Sequence, residues 1–302
     1  MGRGVGYGKV ILFGEHFVVH GAPALAVGLD KTSIVEVMEA RENDIVTEHT
    51  VVPEISRKGI QGVLDSMGIK KKYQVYLGGD LPTYGGLGSS AAFCVGLVRA
   101  LSEETGRGLN DEDVNKHAYD GEMAFHGNPS GIDNLVATYR GAILFRRGSG
   151  GKENEFEFLN TGVPLHLVVS FTGKFSNTVK MVDAVKSFKE QDEDEFAQLM
   201  DEYTDLAAEG RKALEKGKLD VLGNLMNQNQ SLLSELGVST EENDRICELA
   251  LNAGALGAKL TGGGGGGCCI ALARDEAAAL GIRMALEKEG FKSFYSRVEK
   301  RA

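Results

Sequence analysis

Glycine is the residue type that most constrains what this chain can fold into. The sequence of 302 residues contains 41 glycines, about 14%, whereas ordinary proteins contain about 7%. Glycine adopts backbone conformations that other residues avoid, and it lets another group approach the backbone closely. Two glycine-rich segments, residues 82–90 and 262–267, are therefore candidate contact points for a ligand or for another loop.

The rest of the composition is that of a globular protein. Hydrophobic residues make up 42% of the chain and charged residues 25%, which argues against a disordered chain or a fibre. The length predicts two domains of roughly 150 residues each. Both halves mix strands and helices without regular β-α-β alternation, which predicts an α+β fold. We place the two domains at residues 1–162 and 163–302.

Charge and hydropathy argue against several kinds of partner. The net charge is −10 and basic residues form only short clusters such as Lys70–Lys72, whereas nucleic-acid binding needs a concentrated basic face. No window of 18 apolar residues occurs, so we expect no membrane span and no signal peptide. The four cysteines lack CxxC or Cys/His spacing, which is typical of thiols in a reducing compartment. We expect a cytoplasmic protein.

Apolar periodicity predicts the elements that carry the glycine segments. Short apolar runs bounded by turn residues predict strands, and helical spacing with caps predicts helices. Ser239-x-x-Glu242 is typical of a capping box. The predicted strands are Val10–Phe13, Ala24–Leu29, Ser33–Met38, Tyr73–Leu77, 141–145, Leu165–Ser170, 258–261 and 268–273, and the predicted helices are 90–105, 110–126, two or three within 177–235, 239–252 and 275–289.

The segment Pro82–Ser90 joins a predicted strand to a predicted helix. Its glycines let backbone N–H groups point at a ligand, and the helix start adds unpaired donors and a partial positive charge. This combination predicts a phosphate-binding loop, with a tight turn that binds nothing as the alternative. Gly86–Ala91 also fits G-x-G-x-x-A, but a second helix follows where a dinucleotide fold needs a strand. A Walker A loop is excluded because Arg3, not glycine, lies five residues before Gly8.

Two carboxylates flank the Gly-Asn-Pro-Ser-Gly turn at residues 127–131. Glu122 precedes the turn and Asp133 follows it, so the turn can bring both side chains into one cavity. Phosphoryl transfer needs one carboxylate for Mg²⁺ and can use another to accept a proton from the acceptor hydroxyl. The alternative is a solvated surface position for each carboxylate. Ser90, a hydroxyl at the predicted helix start, favours the metal site.

Charged and polar groups also surround the first predicted strand. Lys9 begins it, and Glu15 and His16 follow it. Taken alone, Lys9 could be a snorkelling side chain and His16 a structural histidine. The polyglycine segment 262–267 lies between two apolar segments rather than polar ones, which favours close packing against another loop or a ligand over a disordered linker.

Three blocks in this order resemble the GHMP kinases, the family that includes galactokinase, homoserine kinase, mevalonate kinase and phosphomevalonate kinase. The blocks are Gly8–Gly21, Pro82–Ala92 and Lys259–Cys268. Within the family, Gly14-Glu-His16 combined with Gly121–Asn134 is most similar to the mevalonate kinases. Galactokinases carry an aspartate where this chain has Phe-Val-Val after the Glu-His pair. The third block departs from the family in having Gly263 where alanine is usual.

The resemblance implies a ribosomal-protein-S5-like N-terminal domain and a ferredoxin-like C-terminal domain, with ATP and the substrate between them. It also implies roles for residues at matching positions. Lys9 and Asp133 would be catalytic, and Ser90 and Glu122 would hold Mg²⁺. The implied ATP-binding residues are Gly85, Gly86, Leu87, Gly88, Ser89 and Ser90, and the implied substrate-binding residues are Lys9, Glu15, His16, Asp133, Thr172 and Gly173.

The expected activity is ATP-dependent phosphorylation of the 5-hydroxyl of (R)-mevalonate in isoprenoid biosynthesis. One alternative is a GHMP kinase for another hydroxyl substrate, such as phosphomevalonate or a sugar. Another is a nucleotide-binding relative without catalysis. The expected partners are ATP and mevalonate, without nucleic acid or membrane, and a homodimer is an open alternative.

Overall fold

The computed structural model describes residues 1–47, 54–83, 85–127, 129–148 and 154–299. Within these residues, every helix is too short or too polar to span a lipid bilayer. The strands are β1 Gly2–Phe13, β2 Ala24–Ala40, β3 Asp44–Thr47, β4 Lys72–Gly79, β5 Ala142–Arg146, β6 Glu155–Leu159, β7 Leu165–Phe171, β8 Gly257–Thr261, β9 Cys268–Ala273 and β10 Lys292–Val298. The α-helices are α1 Glu54–Ser66, α2 Ser89–Glu104, α3 Asp111–His126, α4 Ile132–Tyr139, α5 Thr178–Gln191, α6 Glu193–Glu215, α7 Leu219–Glu235, α8 Glu241–Asn252 and α9 Glu276–Lys288, and a 3₁₀ turn covers Phe17–His20.

Contacts between residues divide the chain into two compact units that are discontinuous in sequence. Unit 1 comprises Met1–Lys9, Gly28–Thr83 and Gly88–Arg140. Unit 2 comprises Val10–Val27, Tyr84–Leu87 and Gly141–Ala302. The domain boundary between residues 162 and 163 follows the order of the chain instead, and it stays a prediction.

Unit 1 contains helices α1–α4 and the strands β3, β4 and most of β2. Strand β2 pairs antiparallel with β4 over Ser33–Ala40, and β3 pairs parallel with β4. Helix α2 buries nearly its whole length, and its apolar residues pack with those of α1 and α3 in the core of the unit. The sheet to which these strands belong has the order β3-β4-β2-β5-β6, and β1 also pairs with β2.

Alternate glycines on β1 let its backbone lie against the backbone of α2. Successive side chains of a strand point to opposite faces, so glycines two residues apart share one face. A Cβ atom at Gly2, Gly4 or Gly6 would lie only 2.0–2.1 Å from a carbonyl oxygen of α2, and the oxygens belong to Ala100, Gly96 and Ala92. These three carbonyls are four residues apart, one helical turn. The strand thus follows the helix towards its N-terminus, which brings Lys9 beside the start of α2.

Unit 2 contains a four-stranded antiparallel sheet with the order β10-β7-β9-β8. In chain order the strands and helices follow a β-α-β-β-α-β pattern, with four helices, α5–α8, in the first crossover and α9 in the second. That pattern and strand order define a ferredoxin-like sheet. Strands β5 and β6 also belong to unit 2, where β5 pairs antiparallel with Ala24–Val27 of β2. The α+β prediction is confirmed.

Three predictions about local structure were wrong or incomplete. Strand β2 is continuous, because Asp30, Lys31 and Thr32 stay extended between the two predicted strands. The capping box of α8 is formed by Thr240 and Asn243, one residue later than predicted, since the Ser239 hydroxyl donates to Asp244 Oδ1 instead. The sequence patterns also missed several short or amphipathic elements, namely α1, α4, β3, β6 and β10.

Candidate active site

Lys9 and Asp133 form an ion pair in unit 1. The Lys9 Nζ atom lies 3.1 Å from Asp133 Oδ1. The Lys9 side chain is 3% exposed, whereas that of Asp133 is 31% exposed. Asp133 lies in the first turn of α4, whose N-cap is Gly131, and a carboxylate there interacts favourably with the helix dipole. The pair therefore has a buried ammonium and a carboxylate that solvent or a ligand can reach.

The start of α2 contributes the second half of the predicted phosphate loop. Gly88 is its N-cap and adopts a left-handed conformation with φ 67°. A Cβ atom at this position would lie 2.9 Å from Lys9 Cγ, so the glycine also makes room for the lysine. Ser89 and Ser90 begin the helix and are half-buried. Since the N-cap has no side chain to accept hydrogen bonds from the first-turn N–H groups, an anion is a suitable partner for them.

Glu122, on α3, is a buried carboxylate in the same unit. Its side chain receives hydrogen bonds from Ser90 and, at 3.9 Å between Sγ and Oε1, from the Cys94 thiol. Burial first, and the nearby charge of Asp133 second, raise the pKa of Glu122 to about 8. The structure therefore brings Ser90 and Glu122 together, as the sequence predicted. Because the ionised form is disfavoured, this carboxylate would gain from a nearby cation.

The first half of the phosphate loop, Gly85, Gly86 and Leu87, belongs to unit 2. Gly86 has φ 96°, and a Cβ atom there would lie 2.7 Å from the carbonyl oxygen of Thr261. Leu87 is fully buried and anchors the segment. A Cβ atom added at Gly85 would lie 3.7 Å from Ser176 Cβ, which is ordinary van der Waals contact. This half of the loop is thus a backbone segment packed between other loops of its unit.

His16 lies in unit 2 in an unusual backbone conformation, φ 61° and ψ −42°. Such a positive φ is rare for a residue with a side chain and persists only where the surroundings enforce it. His16 Nε2 lies 2.9 Å from the Gly263 carbonyl oxygen. A carbonyl can only accept, so we assign the proton to Nε2. Burial lowers the pKa of His16, which leaves Nδ1 as a bare acceptor, and Nδ1 has no partner among the described residues.

Glu15, next to His16, forms a fully buried ion pair. Its Oε1 atom accepts a hydrogen bond from Lys259 Nζ, and both side chains are 0% exposed. Lys259 Nζ also donates to the carbonyl oxygen of Leu260, at 2.6 Å. Lys259 begins the third family-like block but was not among the predicted site residues, although a lysine between apolar strand residues is an available signal. Charged side chains are almost never fully buried without a partner.

Thr172 and Gly173 follow strand β7. The Thr172 Oγ1 atom lies 3.0 Å from the Gly267 carbonyl oxygen and 3.2 Å from the backbone nitrogen of Lys174, from which it accepts. These bonds connect the segment to the polyglycine loop. Gly173 has φ 85° and open space where a Cβ atom would lie. The substrate-contact role of both residues stays a prediction.

The polyglycine segment 262–267 packs tightly against other loops of unit 2, as predicted. All its glycines except Gly263 have positive φ. A Cβ atom at Gly264 would lie 2.3 Å from the Val238 carbonyl oxygen, and one at Gly263 would lie 2.6 Å from Thr178 Oγ1. The methyl group of an alanine at position 263, the residue usual in the family, would crowd Thr178, which explains the glycine at this position.

No group of three or more His, Cys, Asp or Glu side chains that could hold a metal occurs in the part of the chain that the structure describes. Ser90 and Glu122 provide two protein donors, a hydroxyl and a carboxylate. Mg²⁺ is commonly held by one or two carboxylates together with substrate phosphates and waters. The donor set therefore fits a cation that arrives with a nucleotide.

Comparison with known proteins gives matches along the chain. A family model for the N-terminal domain of GHMP kinases matches residues 55–142, and a model for the GHMP kinase C-terminal domain matches residues 211–292. The mevalonate kinase of Pyrococcus furiosus is 33% identical, over 92% of this chain and 91% of that protein.

Solved structures match over a similar extent. The L. major mevalonate kinase, crystallised in complex with R-mevalonate, has a TM-score of 0.92 and 37% identity, with 100% of this chain and 97% of that chain covered. The Methanococcus jannaschii mevalonate kinase has a TM-score of 0.83 and 26% identity, with 99% and 98% covered. The region covered thus spans both units.

Proposed function

Because the chain belongs to the GHMP kinase family, we propose that it transfers the terminal phosphoryl group of ATP to the 5-hydroxyl of (R)-mevalonate. The observation that carries this assignment is the full-length similarity to a mevalonate kinase crystallised with R-mevalonate. The curated relatives with about a third of their residues identical are mevalonate kinases as well. The products are ADP and 5-phosphomevalonate.

Lys9 and Asp133 are proposed to act on the acceptor hydroxyl. A primary alcohol does not ionise near neutral pH, so its proton must leave as the oxygen forms a bond to the γ-phosphorus and the bond from that phosphorus to the leaving oxygen of ADP breaks. Asp133, the exposed member of the pair, can accept this proton. Lys9, whose Nζ atom lies 3.1 Å from Asp133 Oδ1, stabilises negative charge that develops on the oxygen. The alternative is that Lys9 alone polarises the hydroxyl while Asp133 positions Lys9.

Ser90 and Glu122 are proposed to hold Mg²⁺ together with the ATP phosphates. When bound, the ion neutralises charge on the β- and γ-phosphate oxygens. The backbone of Gly85–Ser90 is proposed to bind the phosphates. Replacement of Glu122 by glutamine keeps its shape but removes the carboxylate, so kcat should fall and the Mg²⁺ concentration needed for half-maximal rate should rise in a protein that still folds. Unchanged Mg²⁺ dependence would reject the metal site.

Glu15 and His16 are proposed to form part of the mevalonate site, with Thr172 and Gly173 as further candidates. Because the Glu15 side chain is fully buried, it would act through its ion pair with Lys259 rather than by touching the substrate. Burial lowers the pKa of His16, so its ring offers little positive charge to an additional phosphate group. This feature favours mevalonate over phosphomevalonate.

A homodimer and a cytoplasmic location stay predictions, and light scattering would decide the oligomeric state.

An ADP-release assay with Mg-ATP tests the substrate assignment. We expect turnover with mevalonate and far lower kcat/KM with galactose, homoserine and phosphomevalonate, and mass spectrometry should identify the phosphorylated product. Equal or better turnover of any of the other three would contradict the substrate and leave the kinase class intact. Nucleotide binding without ADP release on any of the four would instead indicate a non-catalytic relative.

A further inference from the structure

The fully buried Lys259–Glu15 ion pair has no role in the phosphoryl-transfer steps described above. Both side chains are 0% exposed. Removing two charges from water is costly, and well-packed apolar residues of similar volume are often as stable or more stable than such a pair. Fold stability alone is therefore a weak reason for this pair, and its position beside His16 suggests a different one.

Glu15 and His16 form a turn whose conformation needs outside support. The turn carries short backbone hydrogen bonds, from Phe17 N to Glu15 O at 2.7 Å and from Val18 N to Gly14 O at 3.1 Å. These bonds leave His16 at φ 61°, which is unfavourable for a residue with a side chain. Local hydrogen bonds alone therefore do not explain why this conformation persists.

Two anchors from one segment of the chain hold the turn from either side. Lys259, on β8, binds the Glu15 carboxylate. Gly263, four residues later, accepts the hydrogen bond from the His16 ring. Lys259 Nζ is itself fixed by the carbonyl oxygen of Leu260. The separation of Lys259 and Glu15 in sequence is 244 residues, so only the folded unit brings the anchors to the turn.

We propose that Lys259 is a positioning residue for substrate binding. Its ion pair with Glu15 holds the 14–17 turn, and with it the His16 ring that is anchored to Gly263, in the orientation that substrate binding needs. The inference rests on the proposed function, in which the 14–17 turn with His16 belongs to the mevalonate site. It assigns no contact between Lys259 and the substrate.

The test compares a single variant that leaves one buried charge without its partner and a paired variant that removes both charges. Lys259→Met leaves the Glu15 carboxylate buried without its partner, so this variant should have a lower melting temperature. The paired variant Lys259→Met/Glu15→Met removes both charges and should recover most of that loss. In the paired variant we expect KM for mevalonate to rise at least tenfold, while KM for ATP changes less than threefold.

A matched control separates positioning from general destabilisation. Ser170, on β7 of the same sheet, is buried and shares a hydrogen bond with Ser293 at 2.9 Å between their Oγ atoms. Ser170→Ala should lower the melting temperature without changing KM for mevalonate. A wild-type KM in the folded paired variant would overturn the proposal. Failure of both Lys259 variants to fold would also overturn it, because Lys259 would then be required for folding itself.

A spectroscopic measurement tests the same inference without activity. Nitrogen-15 spectra of labelled histidine distinguish the two imidazole tautomers, and the His16 signal is identified by its absence in His16→Asn. The wild type should show His16 protonated at Nε2, and the paired variant should show a mixture of tautomers. An unchanged His16 signal would contradict the proposal. If wild-type protein binds no mevalonate yet the tautomer changes as expected, the proposed function fails while Lys259 still positions the turn.

Discussion

Unit 1 and unit 2 each contain a pair formed by a lysine and a carboxylate, and the two pairs differ in exposure. In the Lys9–Asp133 pair the carboxylate is 31% exposed, whereas in the Lys259–Glu15 pair both side chains are 0% exposed. An exposed carboxylate can exchange a proton with a ligand, whereas a buried one bound to an ammonium is held as a fixed group. We therefore propose that the same residue types serve chemistry in one unit and positioning in the other.

The largest expected effect is the loss of catalysis when the Lys9–Asp133 pair is broken. A positioned general base contributes about 10²–10⁴ in rate, so Asp133→Asn should lower kcat at least ~10²-fold with little change in ATP affinity. Lys9→Met should lose a comparable amount. If the two residues act as one unit, as proposed, the double variant should be scarcely worse than the poorer single variant. Steady-state kinetics of the four proteins measures this.

A lysine–aspartate pair elsewhere in unit 1 provides the control. Lys31 and Asp80 lie 3.1 Å apart, with Asp80 56% exposed. Lys31→Met should leave kcat unchanged. Fully additive losses at Lys9 and Asp133 would show independent roles and defeat the paired mechanism. A nearly active Asp133→Asn variant would remove the base assignment and favour polarisation by Lys9 alone.

The second effect is on stability and belongs to the Lys259–Glu15 pair. Breaking a buried pair by removing one partner costs about 3–5 kcal/mol, so Lys259→Met should lower the free energy of unfolding by that amount. The Lys31–Asp80 pair gives the contrast, because Asp80 is 56% exposed and Lys31→Met should lower the free energy of unfolding by only about 0–1 kcal/mol. Urea unfolding followed by circular dichroism measures both. A loss below ~1 kcal/mol for Lys259→Met would mean that the pair is less buried than the structure shows.

A smaller effect is expected when Lys9 is displaced without a change of charge. A methyl group at Gly88 would press on Lys9 Cγ and would also be strained by the positive φ. Misplacement of a catalytic group by about 1 Å can lower the rate ~10²-fold. Because the flexible lysine side chain can move to relieve part of the contact, Gly88→Ala should lower kcat only roughly 10-fold. Gly78, where an added Cβ atom meets nothing within 4 Å, is the control. Equal kcat values for both variants would show that Lys9 tolerates the shift.

A pH-dependent effect concerns Glu122, a buried carboxylate whose pKa its surroundings raise. Its pKa of about 8 exceeds the ordinary value of 4.5. Between these values the folded state keeps the proton and the unfolded state releases it, so rising pH favours unfolding. The free energy of unfolding of the metal-free protein should therefore fall from about pH 5 to about pH 8. Glu122→Gln should flatten this slope in urea unfolding at several pH values, and an equal slope in both proteins would contradict the raised pKa.

Local signals in the sequence account for much of the fold and part of the site. Asn110 accepts a hydrogen bond from Asp113 N and caps α3 where predicted, because an N-cap depends on neighbours along the chain. Glycine segments predicted close backbone packing at residues 262–267. By contrast, the continuity of β2 through Asp30–Thr32 depends on partners elsewhere in the sheet, and a pattern confined to one segment does not contain them.

The sequence by itself determined the residue types, their order and the family to which they belong. Glycines, a lysine, a serine and two carboxylates in three blocks were sufficient to predict a kinase. Only the tertiary structure decided which lysine pairs with which carboxylate and how exposed each is. Lys259 and Glu15 are 244 residues apart, and the pKa of Glu122 depends on burial that no local pattern encodes. Desolvation is a property of the packed molecule, so the two lysine–carboxylate pairs become different only after folding.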